Sequence, residues 1–215
     1  MFFKFFSILS CLLGFSLFNN LYAHPVSYAG SFAVMGQNSK EESELVLNYS
    51  FTSRFSTMAH YMRMDTKEGE RNFYMAHANV LLKRWNELKS QGNLYFSLGH
   101  GVEDIETSYK NTSSLSLEAD WESRKYYVSF KESAYLSHSD SSRNIYLTKL
   151  RAGIAPYLAD FNELNSWFIV ELSTSNKSRE DFSITPLIRL FYKNVLLELG
   201  ANHKGDAQFN YMVHF

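Results

Sequence analysis

Cysteine is almost absent from this chain of 215 residues, and the single one, Cys11, lies in an apolar segment near the start. The rest of the chain therefore has no disulfide framework. It also has no thiolate nucleophile and no cysteine-based zinc site. A glycine-rich phosphate loop and a nucleophile elbow are missing too. These absences exclude several common classes of enzyme and the small secreted proteins that are held together by disulfide bonds.

An excess of charge of one sign is also lacking. Without Lys4, the chain has 20 basic residues (21 minus 1) and 22 acidic ones, a net charge of −2. Nucleic-acid-binding domains usually carry a basic patch or a strongly basic balance. No nucleic-acid partner is therefore expected, and no residue pattern indicates a bound cofactor.

Long hydrophobic runs are confined to residues 1–23, MFFKFFSILSCLLGFSLFNNLYA. One cation precedes an apolar run, and the stretch closes on the small residue Ala23, a pattern typical of a secretory signal peptide. The run is too short for a convincing transmembrane helix, which needs about 20 apolar residues. We predict cleavage near Ala23 and one mature domain, residues 24–215. A lipoprotein acylated at Cys11 is the alternative, although it would cut the apolar run short.

The mature chain has no long helical apolar stripe and many short segments that alternate with period two. SELVLNYSF puts Leu45, Leu47, Tyr49 and Phe51 on one face, with polar residues opposite. Such alternation predicts strands with one apolar face. We predict twelve, with ten as the alternative, at about 28–37, 43–53, 56–66, 71–85, 92–103, 113–124, 125–137, 144–157, 165–174, 182–192, 194–202 and 206–215. Long polar links alternate with tight ones, so one end of the sheet should carry the longer loops.

The apolar rows can face either a protein core or lipid. Many segments reach the 9–11 residues that a tilted strand needs to span a membrane. Their opposite rows carry charges, as the interior of a transmembrane barrel does. Tyrosines fall in the apolar rows towards the segment ends, where membrane interfaces concentrate aromatic residues: Tyr28, Tyr49, Tyr74, Tyr126, Tyr146, Tyr192 and Tyr211. These features favour a transmembrane barrel over a soluble sandwich, and a sheet in lipid must close on itself.

The last nine residues, AQFNYMVHF, carry a specific resemblance. Phe209, Tyr211, Val213 and Phe215 share one face of the last strand, and the chain stops on the aromatic. This pattern resembles the C-terminal signature of bacterial outer-membrane β-barrel proteins. The resemblance implies that this row is an insertion signal read by the outer-membrane assembly machinery. It also implies an outer-membrane location in a Gram-negative bacterium, with membrane lipid as a partner.

If the apolar rows face lipid, the opposite rows line a lumen. The charged residues predicted to line it are Glu44, Arg63, Asp65, Lys83, Glu118, Asp120, Lys149, Arg151, Glu171, Arg189 and Glu198. The numbers of acidic and basic residues in this set are nearly equal. This balance is compatible either with a weakly selective narrow pore or with a lumen filled by ion pairs. A barrel of about eight strands is filled by side chains and one of about sixteen leaves a channel, so twelve allows both.

Four residues depart from the pattern. Glu132 lies in an apolar row, where a lipid-facing charge is unfavourable, and a β-bulge would change its face. Pro186 lies within a strand and removes a donor from the ladder. His60 and His100 lie in rows that are otherwise apolar. One of the twelve strands is therefore either assigned to the wrong face or absent, which is why ten strands are the alternative.

Two clusters suggest chemistry. TMAHYMRM puts Met58, His60, Met62 and Met64 on one face, and thioether and imidazole groups suit soft metals such as Cu(I); His24 and His214 are two further candidate ligands. Methionine is also an ordinary lipid-facing residue, so no metal site is assigned.

The second cluster, YLSHSDSSRNIY, gathers His138, Ser139, Asp140, Ser141 and Asn144. Outer-membrane phospholipases are similar in combining a twelve-stranded barrel with a His–Ser–Asn site. In them the serine lies two residues after the histidine, where this chain has Asp140. No catalytic residue is therefore assigned, and the composition of the segment predicts a solvent-exposed loop.

We expect a monomeric or weakly oligomeric outer-membrane barrel, not an enzyme, that passes small solutes through a narrow porin-like channel. The alternative is a closed structural or adhesion barrel that acts through its outer loops. An outer-membrane esterase and a soft-metal-binding barrel come third.

Overall fold

The computed structural model describes residues 25–105, 108–160, 162–179 and 182–215. Its strands are β1 (Phe32–Asn38), β2 (Glu42–Thr52), β3 (Phe55–Thr66), β4 (Gly69–Asn86), β5 (Ser90–Ile105), β6 (Ser108–Ser123), β7 (Tyr126–Ser137), β8 (Ile145–Ile154), β9 (Asn165–Ser175), β10 (Ser183–Tyr192), β11 (Val195–Ala201) and β12 (Ala207–His214). A 3-10 turn, Ser141–Arg143, lies between β7 and β8. Within the described ranges, no helix is long and apolar enough to cross a membrane.

The strands form one closed barrel in which each pairs with its sequence neighbours and β1 pairs with β12. The prediction of a closed antiparallel up-and-down barrel of about twelve strands is confirmed, and the ten-strand alternative is wrong. The predicted signal peptide, residues 1–23, and His24 lie outside the described residues, so its cleavage stays a prediction.

Alternation of side chains gives the barrel an apolar outside. On β2, Leu45, Leu47 and Tyr49 are each 41% exposed, whereas Asn48 and Ser50 between them are buried. The same alternation recurs on β9, where Phe168 and Val170 are exposed and Ile169 is buried. An exposed apolar surface this extensive is expected of a barrel whose surroundings are lipid rather than water.

Connections β1–β2, β3–β4, β5–β6, β7–β8, β9–β10 and β11–β12 meet at one end of the barrel, here called the loop end. The other end, here called the turn end, carries the remaining connections and the C-terminal Phe215. The prediction that one end carries the longer loops is only partly right. The β7–β8, β9–β10 and β11–β12 links at the loop end are long, but the β1–β2, β3–β4 and β5–β6 links there are tight, and the long link between β8 and β9 lies at the turn end.

The seam between β1 and β12 fixes the end of the chain. The backbone N–H of Phe215 donates to the carbonyl of Phe32 at 2.8 Å, and the N–H of Phe32 donates back to Phe215 at 3.2 Å. Further along the seam, a Cβ on Gly36 would lie 2.3 Å from the ring of Tyr211. Glycine at position 36 therefore lets the Tyr211 ring lie flat on the outer wall.

The residues that departed from the alternation have local explanations. Glu132 keeps its outward position on β7, and its carboxylate accepts a hydrogen bond from the Thr148 hydroxyl on β8 at 2.5 Å. No bulge shifts it, because Glu132 pairs in register with Thr148. Pro186 sits opposite Val170 on the outer face of β10, in a ladder that continues on both sides of it.

Candidate functional site

The inner wall carries most of the charged residues that the sequence predicts there. Glu44, Glu118, Asp120, Lys149, Arg151, Glu171, Arg189 and Glu198 lie on the inner face. Most of their neighbours along the strand are apolar residues of the outer face, such as Leu197 and Leu199 on either side of Glu198. Alternation alone therefore predicted the inner position of these eight residues correctly, because the period of two is not interrupted near them.

The prediction for Arg63 and Asp65 is wrong, because both lie on the outer face of β3. The register pairs Met62 with Glu44 and Arg63 with Ser43, so Met62 shares the inner face of Glu44. The Arg63 guanidinium reaches Ser43 at 3.4 Å and Glu70 at 3.5 Å near the loop end. The row of Met58, His60, Met62 and Met64 was expected to face lipid, and it points into the barrel instead.

The prediction for Lys83 is also wrong, and here the cause is a β-bulge. The register between β4 and β5 shifts between Leu81 and Lys83, so that Lys83 pairs with Leu94 on the outer face. Its ammonium lies 5.1 Å from the ring centre of Trp85. Beyond the bulge Arg84 turns inward and donates to Asn93 at 2.7 Å. A bulge inserts one residue and reverses the faces that follow it.

Ion pairs cover the wall formed by β8 to β11. Arg151 donates to Glu171 at 2.6 Å and approaches Glu198 at 3.4 Å. Arg189 donates to the other oxygen of Glu198 at 2.7 Å, and Asn210 donates to Glu198 at 2.8 Å. Glu198 is only 1% exposed, so these partners supply the stabilisation that water would otherwise give its charge.

One ion pair crosses the lumen instead of following the wall. Lys149 on β8 donates to the Glu42 carboxylate at 2.8 Å and to the Gln37 amide oxygen at 3.1 Å. β2 and β8 lie on opposite sides of the twelve-strand ring. These three side chains, here called the Lys149 bridge, therefore obstruct the lumen, and both the lysine and the glutamate side chains are nearly buried.

Apolar side chains fill another part of the interior. Met62, Met64, Phe73, Met75, Tyr135, Ile145 and Leu147 form a buried cluster that reaches from β3 and β4 to β7 and β8, here called the apolar lumen cluster. The rings of Phe73 and Tyr135 lie 5.6 Å apart across it. The interior is therefore only partly open.

Charged residues that the sequence patterns did not indicate connect the loop end to the barrel wall. Arg71 and Arg143 each donate to the buried Glu103 carboxylate at 2.5 Å, and Arg71 also donates to the carbonyl of Arg143. These contacts hold the Ser141–Arg143 turn against the barrel wall. The alternation along β4 and β5 places Arg71 and Glu103 inward and could have identified them.

The connection after β9 crosses the mouth of the loop end. Residues 176–179, here called the strap, reach the distant end of β3: the N–H of Lys67 donates to the carbonyl of Lys177 at 3.1 Å, and Ser178 pairs with Thr66. Lys177 donates to Glu68 at 2.5 Å, and this hydrogen bond holds the pKa of the Glu68 carboxyl below its ordinary 4.5. The strap covers part of the opening.

Two neighbouring cavities lie inside the barrel among the described residues. The larger, about 170 Å³, is lined by charged residues such as Glu44, Glu118 and Arg189 and by Met58 and His60. The smaller, about 70 Å³, lies towards the loop end beneath the strap. Both are lined by Gln37, Leu147, Lys149 and Asn210. The cavities therefore meet at the Lys149 bridge.

The serine- and aspartate-rich segment between β7 and β8 supports its own loop. Asp140 accepts a hydrogen bond from the Ser142 N–H at 2.8 Å, which together with the Ser142 hydroxyl holds the pKa of Asp140 below its ordinary 3.8. Asn144 accepts from the N–H of Ser137 at 3.0 Å. The imidazole of His138 lies 2.8 Å from the Ser113 hydroxyl on the outer face, a contact that sequence spacing did not indicate.

No protein-family model and no curated protein matches this chain. Among solved structures, the chain is similar to the KdgM porin in complex with disordered oligogalacturonate, with a TM-score of 0.50 and 14% identity over 86% of this chain and 98% of the porin. It is also similar to OccAB4 of Acinetobacter baumannii, with a TM-score of 0.41 and 10% identity over 85% of this chain and 56% of that one. The first likeness shows that the chain has the barrel fold of an outer-membrane porin.

Proposed function

We propose that this protein is a narrow channel of the outer membrane through which small polar solutes pass. The observation that carries this proposal is the pair of cavities inside the barrel that meet at the Lys149 bridge. A barrel that served only as a support would gain nothing from a passage lined by charges, because a packed apolar core would be more stable.

The charges of the passage support weak rather than strong selectivity. Arginines and glutamates alternate along the larger cavity, with Arg151 and Arg189 facing Glu198 and with Lys131 facing Glu118 at 3.8 Å. A pore that selects ions of one sign carries rings of that one charge. Neutral or zwitterionic solutes of small cross-section therefore fit this passage better than multiply charged ones.

The fold supports an outer-membrane location, because its apolar exterior matches lipid and its closed sheet leaves no unpaired edge. The porin-like barrel of the solved neighbour adds to this argument. Phe209 and Phe215 of the terminal row are exposed on the outer wall, where an insertion signal would be accessible to the assembly machinery. Carbonate-resistant recovery in outer-membrane fractions is the expected result, and recovery among soluble periplasmic proteins would contradict it.

Single-channel recording of the purified protein in planar bilayers tests the transport proposal, together with swelling of vesicles in neutral sugars of increasing size. We expect small conductance steps with little preference between cations and anions, and swelling only with the smallest sugars. If correctly folded protein gives neither conductance steps nor vesicle swelling, the channel proposal is contradicted. This result would favour the closed structural barrel that acts through its loops.

A further inference from the structure

Methionine is distributed unevenly between the two faces of the barrel. The chain has seven methionines, and all except Met1 lie on strands of the described residues. All six of these point inward: Met35, Met58, Met62, Met64, Met75 and Met212. Lipid-facing positions would accept methionine readily, so its concentration in a largely polar interior needs a separate explanation. Three of the six belong to the apolar lumen cluster, but Met58 does not, and it lines the larger cavity.

Two of these methionines alternate with two histidines on neighbouring strands. Met58 is directly opposite His77, and His60 is directly opposite Met75, in the register of β3 and β4. Directly opposed side chains on one face of a sheet have Cβ atoms about 4.5–5.5 Å apart. These four residues, here called the Met/His quartet, therefore present two imidazoles and two thioethers in one patch, and His60 and His77 are 6% and 7% exposed.

The two histidines approach each other through ring nitrogens. His60 Nδ1 lies 3.2 Å from His77 Nε2. Two nitrogens that each bind one tetrahedral metal ion at about 2.0–2.1 Å would be roughly 3.3 Å apart. The observed separation therefore matches two ligands of one ion as well as it matches an N–H···N hydrogen bond, and only small rotations of the rings would be needed.

The outer nitrogens of the same rings face oxygen acceptors. His77 Nδ1 lies 3.4 Å from the Ser114 hydroxyl, and His60 Nε2 lies 3.9 Å from the Glu44 carboxylate. At His77 this hydrogen bond favours a proton on Nδ1 and leaves Nε2 free to bind a metal. At His60 the Glu44 carboxylate favours a proton on Nε2 through its charge alone, because the two groups are too far apart for a hydrogen bond. If both inner nitrogens are unprotonated, their lone pairs repel each other, and a cation between them would relieve this repulsion.

A glycine on the next strand gives the His77 ring its position. Gly99 lies between His77 and Ser114 in the register of β4, β5 and β6. A Cβ at position 99 would lie 2.3 Å from the Ser114 hydroxyl oxygen and 2.7 Å from His77 Nδ1. The missing side chain therefore allows His77 to reach across β5 to Ser114.

From these observations we propose that the Met/His quartet binds one soft monovalent cation, Cu(I), on the wall of the larger cavity. Thioether and imidazole ligands together select Cu(I) or its analogue Ag(I) over harder ions. Among the described residues no group of three or more His, Cys, Asp and Glu is arranged to hold a metal, so a site for a harder ion is not expected there. This site concerns binding and does not rest on the channel conducting.

Titration of the purified protein in detergent with Ag(I), which avoids redox chemistry, tests the site; Cu(I) under anaerobic conditions with a competing chelator is the second probe. We expect one ion per chain. The double variant His60→Gln/His77→Gln should bind more weakly by more than the roughly 10–100-fold loss that outer-shell substitutions cause. Met58→Leu/Met75→Leu nearly conserves volume, and it should weaken Ag(I) but leave Zn(II) unchanged.

Two control variants each substitute a histidine or a methionine that does not belong to the quartet. His100 lies on the outer face of β5. Met35 lines the same cavity as the quartet but lies on β1, separated from His60 by Val46 on β2. His100→Gln and Met35→Leu should both bind Ag(I) as the parent does. If the histidine variant does not fold, methyl NMR of the parent replaces it: Ag(I) should shift the Met58 and Met75 methyl signals and leave that of Met35 in place.

Absence of a 1:1 Ag(I) complex would overturn the proposal, as would unchanged binding in the histidine variant. Equal affinity for Zn(II) and Ag(I), with no effect of the leucine substitutions, would overturn the soft-cation assignment. Bilayer conductance measured in metal-free buffer reports on the channel independently, so failure of one proposal does not imply failure of the other.

Discussion

The Lys149 bridge offers the sharpest test of how the interior is organised. The side chains of Lys149 and Glu42 are 13% and 12% exposed, and their charged atoms lie 2.8 Å apart. Removing one partner of a buried ion pair costs about 3–5 kcal/mol, because the remaining charge stays buried without compensation. Lys149→Ala should therefore lower the free energy of unfolding by about that amount.

The same substitution should raise conductance, since it removes the side chain at which the two cavities meet. In the double variant Lys149→Ala/Glu42→Ala the Glu42 carboxylate is removed together with its partner. This variant should regain much of the lost stability and conduct at least as well as the single variant. The two effects separate cleanly, because the first follows the unpaired charge and the second follows the obstruction.

The measurements are urea unfolding in lipid vesicles and single-channel recording on the same preparations. Lys131→Ala is the matched control, because Lys131 is 40% exposed and lies 3.8 Å from Glu118 on the adjacent strand. An exposed pair of this kind contributes about 0–1 kcal/mol, and its removal opens no obstruction. If Lys149→Ala and Lys131→Ala behave alike in both assays, the reasoning about the bridge is refuted.

Three other predictions follow from the ion pairs, the strap and the chain end. Arg151→Ala should destabilise the barrel by about 3–5 kcal/mol, since its partners are buried, whereas Glu118→Ala should cost little; equal thermal stability of the two variants would contradict this. The depressed pKa of Glu68 means that its ion pair with Lys177 stabilises the strap above pH 4.5 and is lost as the pH falls further; conductance should rise reversibly in that acid range in the parent but not in Glu68→Gln. Deletion of Phe215 should reduce the amount of heat-modifiable, assembled barrel far more than deletion of one residue from NSKEE, and equal amounts would argue against an insertion signal.

Period-two alternation determined the strands, and the C-terminal aromatic row favoured a membrane barrel over a soluble sheet. On β2, β6 and β9 the apolar row is clean, so each residue's face follows from its position, and Glu118 and Glu171 could be placed inside without coordinates. Twelve such segments with no helical stripe leave few alternatives to a closed sheet. The outer aromatic row ending at Phe215 follows from the same local rule, because side-chain direction in a strand depends only on parity.

Odd or even position along a strand does not predict the face of a side chain where both rows have similar chemistry or where the register shifts. At those places only the tertiary structure determines which face is inside. Methionine and histidine suit lipid and a filled interior equally well, so the face of β3 was settled by its pairing with β2, which puts Met62 beside Glu44. The bulge at Leu81 reversed Lys83 without any signal in the local composition. Contacts between distant strands, such as the Lys149 bridge and the His60–His77 pair, depend on closure of the ring. Closure brings together residues that lie far apart in the chain, and no local pattern encodes their distances.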